Sequence, residues 1–108
     1  MTSQSEGSSG GGRPGSPRHV KYVVIYESGD EVRTKAPIHF PAHKARWQEF
    51  RDRGELLMIG TFSDLSGAMG IFTSREAAEE FIKEDPFVLH GVVRGYQIRE
   101  WNEAIAGP

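Results

Sequence analysis

The chain changes character after Arg18, and that boundary limits what the rest can become. Residues 1 to 18, MTSQSEGSSGGGRPGSPR, are almost entirely Ser, Gly, Pro and polar side chains. Such a segment has no apolar surface to bury, so nothing offsets the entropy of ordering it, and a disordered tail is expected. The whole core must come from residues 19 to 108. A domain of that size hides only about 60–65% of its unfolded surface, so one core is the limit and a second copy is a natural source of further burial. The chain has no Cys, which excludes disulfides, thiolate metal sites and a Cys nucleophile.

Charge narrows the partners. Thirteen Lys and Arg face 15 Asp and Glu, a net charge of -2. That leaves no basic footprint for nucleic acid. No apolar run approaches the roughly 20 residues that a membrane helix needs. The first segment lacks the apolar stretch of a secretory signal, is poor in Arg and carries Glu6, so a cytoplasmic location is expected. Gly10, Gly12 and Gly15 satisfy G-x-G-x-x-G. The phosphate-binding form of that motif follows a strand and opens a helix, whereas this one follows a Ser-rich stretch and contains Pro14.

The remaining pattern alternates between strands and helices. His19 to Glu27 (HVKYVVIYE) is β-branched and aromatic, and its middle is apolar on both faces, which marks a central strand. Residues 31 to 36 carry no clear periodicity. Pro41 suits the first turn of a helix running to Arg53, with Gly54 as its stop. Ala42, His43, Trp47 and Phe50 repeat along it at helical spacing. Glu55 to Thr61 and Ala68 to Thr73 read as an antiparallel hairpin around the turn Ser63 to Gly67. Gly60, Gly67 and Gly70 suggest a bulge or close backbone approach there. Ser74 caps a second helix, which carries Ala77, Ala78, Phe81 and Ile82 inward and stops near Glu84 because Pro86 biases Asp85 away from helical dihedrals. Gly91 to Trp101 is the last strand, with Gly95 as a candidate bulge.

The order β-α-β-β-α-β predicts an α+β, ferredoxin-like fold: an antiparallel four-stranded sheet with two helices on one face. The domain is expected over residues 19 to 103, with a short tail from 104 to 108. The other sheet face would lie open, with Tyr22, Val24, Tyr26, Met58 and Met69 as candidates to line it. An exposed apolar face is usually covered, and a homodimer packing sheet on sheet is the simplest cover.

His43 is the residue most suited to chemistry. It shares a helix face with Trp47 and Phe50, so its ring points inward, where each nitrogen needs a partner. Asp85 is the best acidic candidate, because the two helices lie side by side in this fold. Such a pair can be a general base with a fixed tautomer, or a structural tie between helices. Asp85-Pro86-Phe87 can equally be a turn initiator followed by a core residue. His39 and His43 are four apart, but Pro41 lies between them and His39 is expected to precede the helix; His90 would be a third ligand if a metal bound, and nothing requires one. Ser63, Asp64 and Ser66 suit turn chemistry, and Ser63 lacks the G-x-S-x-G context of a nucleophile. Arg94 and Arg99 could hold an anion, though cross-strand charge pairs explain them more simply.

Six pieces in order resemble the YciI-like, or YCII-related, family over about residues 20 to 103. They are Pro41-Ala42-His43, Gly54-Glu55-Leu56-Leu57, Gly60, Ser74-Arg75-Glu76-Ala77-Ala78, Asp85-Pro86-Phe87 and Ile98-Arg99-Glu100-Trp101-Asn102. The resemblance implies a dimeric α+β barrel with a His and Asp pair in a small cleft, at His43 and Asp85. Some members remove chloride from chlorinated hydroquinones; related barrels include muconolactone isomerases and haem-dependent monooxygenases. The expectation is a cofactor-independent lyase, dehydrochlorinase or isomerase. His43 would take a proton from a small cyclic or phenolic substrate, Asp85 would orient it, and Trp47, Phe62, Ser63 and Phe87 would contact the substrate. The competing expectations are a non-catalytic small-ligand-binding or dimerising regulatory module, and a haem enzyme with an axial His.

Overall fold

A computed structural model describes residues 19 to 105. The Ser/Gly-rich tail and its Gly10, Gly12 and Gly15 motif lie outside those residues. In chain order the elements are β1 (Val20–Ser28), α1 (Val32–Asp52), β2 (Leu56–Thr61), β3 (Gly67–Phe72), α2 (Arg75–Lys83), α3 (Pro86–Leu89) and β4 (Val93–Asn102). The sheet order is β2-β3-β1-β4, with every neighbour antiparallel. This is the expected split βαβ arrangement. β1 is central, as its two-sided apolar content required.

Three rings join the layers: Phe50 from α1, Phe72 from β3 and Phe81 from α2. Their centroids lie 5.2–6.4 Å apart, and all three are fully buried. Phe50 and Phe81 both pack against β3, so α1 and α2 cover the same sheet face. The Arg46 guanidinium lies over the outer sides of Phe50 and Phe81. Its Nε donates to the Phe81 carbonyl at 3.0 Å and its Nη2 to the Glu80 carbonyl at 2.6 Å. Those carbonyls belong to the last turn of α2, where a cation suits the negative end of the helix.

α1 differs from expectation. It starts at Val32, runs 21 residues and carries Pro37 and Pro41 inside it. The residues before Pro41 mix polar and apolar side chains without a clean apolar stripe and include Pro37, which hides the helix from periodicity. Tertiary packing decides it: Val32 and Ala36 rest against the core. His39 therefore lies within the helix rather than ahead of it, and Ala42 faces solvent. The expected stop holds, with Gly54 at φ +77 donating to the Arg51 carbonyl.

The single turn α3 was also hidden. Pro86 ends α2 by holding Asp85 extended (φ -70, ψ 123), and the same Pro occupies the first position of α3. Asp85 caps that turn by accepting from Phe87 N–H at 3.2 Å.

Register corrects the open face. Tyr22, Val24 and Tyr26 turn towards the helices, with Val24 and Tyr26 buried. The open face carries Val23, Ile25, Met69 and Ile71, with Met58 beside Ile71 and Trp101 opposite Lys21. Both alternating sets of β1 are apolar, so composition could not choose between them. The β1–β4 register shifts between Glu27 and Ser28, opposite Gly95 and Val93. The extra residue there is Arg94, which bonds Glu27 at 3.0 Å and Asp30 at 3.1 Å. The hairpin's own irregularity falls between Leu56 and Met58 rather than at a glycine. Gly67 answers to a close approach: a Cβ there would overlap the Tyr26 carbonyl oxygen.

Candidate active site

Three elements converge on one carboxylate. α1 supplies His43, β1 supplies Tyr26, and the α2–α3 junction supplies Asp85. Asp85 is wholly buried, and His43 and Tyr26 are nearly so. His43 Nδ1 lies 2.7 Å from Asp85 Oδ1. The Tyr26 hydroxyl donates to Asp85 Oδ2 at 2.7 Å. The Phe87 N–H donates to Oδ1 as well. A carboxylate only accepts, so the network assigns the proton to Nδ1 and leaves Nε2 with a lone pair. Nε2 has no partner among the described residues.

The Phe87 ring stacks on the imidazole, with centroids 3.8 Å apart and planes 3° from parallel. Phe81 meets the imidazole edge-on at 6.2 Å. These contacts fix the ring's plane, while Asp85 fixes its rotation. Burial, and then the Asp85 charge, push the Tyr26 phenol well above its ordinary range. It is therefore a hydrogen-bond donor throughout the neutral range.

His43 opens onto a cavity of about 180 Å³ between the sheet and the helices. The cavity exists because β3 presents Ala68 and Gly70 to the helices, beside Tyr26 and Val24. Trp47, Phe40 and Phe87 form aromatic walls, and Thr61 adds a hydroxyl. Among the described residues, no Lys, Arg, Asp or Glu lines the space. An apolar cavity of about 150 Å³ suffices to hold benzene in another protein. This one therefore fits a single substituted ring.

The structure brings His43, Asp85, Trp47 and Phe87 together. Phe62 and Ser63 stand apart in the β2–β3 turn and do not line the cavity. Sequence reasoning missed Tyr26 as the third member. A usable signal was its polar-tipped ring in the middle of a central strand, because a buried phenol seeks a partner. His39 stacks on His90, with centroids 4.1 Å apart and planes at 6°, and neither ring hydrogen-bonds Asp85. Among the described residues no group of three or more His, Cys, Asp or Glu is placed to hold a metal ion. No helix among them is long and apolar enough to cross a membrane.

A family model, the YCII-related domain, matches residues 20–102. No curated protein sequence matches the chain. Among solved structures, the fold is similar to the 5-chloro-2-hydroxyhydroquinone dehydrochlorinase TftG of Burkholderia phenoliruptrix AC1100, determined in complex with 2,5-dihydroxybenzoquinone. The TM-score is 0.61 at 17% identity, over 75% of this chain and 93% of that one.

Proposed function

The chain belongs to the YCII-related family, and from that premise we propose a small cofactor-independent enzyme in which His43 is a general base towards an uncharged phenolic or cyclic substrate. The observation that carries this reading is the buried Tyr26–Asp85–His43 network ending at an unpartnered Nε2 beside an apolar cavity. Asp85 holds the tautomer that leaves Nε2 basic, and stabilises the imidazolium once the proton arrives. Among the described residues the lining offers no countercharge to a carboxylate or phosphate, and burying an unpaired anion is costly. A hydroxylated ring fits instead.

Loss of HCl from a chlorinated hydroxyarene suits this equipment. In the keto tautomer, a hydroxyl hydrogen has moved to the ring carbon that bears chlorine. Nε2 then takes the proton of a remaining enol hydroxyl. The O–H pair becomes a carbonyl π bond, the ring double bond shifts towards the sp3 carbon, and chloride leaves with the carbon–chlorine pair to give a hydroxyquinone. The reaction is redox neutral, because oxidation of the hydroquinone to a quinone is offset by replacement of C–Cl with C–H. The same imidazole can move the proton in the tautomerisation and remove the one in the elimination. The structural likeness to a dehydrochlorinase supports this chemistry, and isomerisation by proton transfer uses the same base. On this reading two copies pack through the open face of Val23, Ile25, Met58, Met69, Ile71 and Trp101, and the enzyme works in the cytoplasm.

The test is chloride release and quinone absorbance from a panel of chlorinated hydroquinones, with parent and His43→Ala compared. General base catalysis is worth about 10²–10⁴-fold, so the variant should lose at least 100-fold while its circular dichroism is unchanged. Binding of the same compounds by both proteins with no turnover by either would favour the non-catalytic ligand-binding module.

A further inference from the structure

The geometry points to Tyr26 as a positioning residue: its hydroxyl holds Asp85 Oδ2, so that the carboxylate presents Oδ1 to His43 and spreads its charge over both oxygens. The inference deepens the reading of His43 as a base, and rests on it for its catalytic meaning.

A carboxylate has two oxygens, and in a dry site both must be satisfied. Oδ1 receives Phe87 N–H and faces His43; Oδ2 receives Tyr26. Without the phenol, Oδ2 would be buried without its donor. The carboxylate would then rotate or concentrate its charge on the remaining partners. Tyr26 itself cannot drift. It sits in the centre of the sheet, paired with Ala68 of β3 on one side and Tyr96 of β4 on the other. The charged and titratable groups acting on it are Asp85 ahead of α3, Arg46 of α1 and Tyr96 of β4. Of these only Asp85 hydrogen-bonds its hydroxyl.

A hydrogen bond to the charged form of a carboxylate lowers its proton affinity. The phenol therefore tempers how strongly Asp85 draws the Nδ1 proton, and so how readily Nε2 both takes and releases one. A tie that only anchored the sheet to α3 would not set the imidazole's affinity for protons. That difference can be measured.

Tyr26→Phe keeps the ring and removes only the hydroxyl. Nitrogen-15 chemical shifts of His43 are followed against pH in the full chain, for parent and variant. Removing the donor should raise the imidazole's proton affinity about tenfold, a displacement of about one pH unit. An unchanged titration with only a lower melting temperature would overturn the proposal and leave Tyr26 a structural tie. Should Tyr26→Phe fail to fold, Tyr26→3-fluorotyrosine keeps the shape and strengthens the donor. Its titration must then move the opposite way, and no movement overturns the proposal. Chloride release from chlorohydroquinones, measured alongside, separates this inference from the enzymatic reading. A shifted titration without turnover by the parent removes the enzyme and retains the positioning role.

Discussion

Asp85 has three donors gathered around one buried carboxylate: an imidazole, a phenol and a backbone N–H. Its removal should cost more than that of any other polar residue here. Asp85→Ala leaves each donor without an acceptor, and breaking a buried charged network costs about 3–5 kcal/mol. Urea denaturation of the variant checks the value; a loss under about 1 kcal/mol would mean that water replaces the carboxylate. Alkali probes the same cluster from the other side. The folded Tyr26 phenol holds its proton more tightly than the unfolded one. Its contribution is therefore complete below the ordinary phenol range, near pH 10, and is lost as pH rises beyond it. Stability measured from pH 8 to 11.5 should fall more steeply for the parent than for Tyr26→Phe.

The short element α3 links the site to a second feature, the stacked His39 and His90 rings that join α1 to its far end. The half-buried His39 ring is harder to protonate than a free one, first because it is partly stripped of water, then because of the nearby His90 and Lys35. A depressed histidine gives stability that is present above its unfolded value, about 6.5, and lost as pH falls. Unfolding free energy followed from pH 7.5 to 5 should show this acid loss. His39→Phe, which keeps a ring against His90 without the charge, should flatten it. The β1–β3 pairing makes a different demand. Gly67→Ala places a methyl group against the Tyr26 carbonyl, so the strands must separate. The expected cost is about 1–3 kcal/mol in denaturant unfolding, the range of forced overpacking.

For the whole molecule, the two faces of the one sheet differ in what covers them. The helix side holds the core and the cavity. The cavity's volume depends on Ala68 and Gly70, so Ala68→Leu should fill it, abolish binding of a chlorohydroquinone in calorimetry, and leave the fold intact. The other side leaves Met58 and Trp101 exposed among apolar neighbours. If two copies meet there, Met58→Lys should halve the mass found by light scattering; a parent that is already monomeric would refute the pairing.

The strand and helix order, the stops at Gly54 and Pro86, the Ser74 cap and the inward His43 were legible in the sequence, because each follows from local dihedral limits or from periodicity within one element. The start of α1 was not, since packing of Val32 and Ala36 overrides two prolines and a stretch without helical periodicity. The facing of β1 was not, because both of its alternating sets are apolar and only pairing with β3 and β4 fixes which one meets the helices. The role of Tyr26 followed from that facing. A residue 59 positions away from Asp85 becomes its hydrogen-bond partner only once the sheet has chosen which side to turn inward.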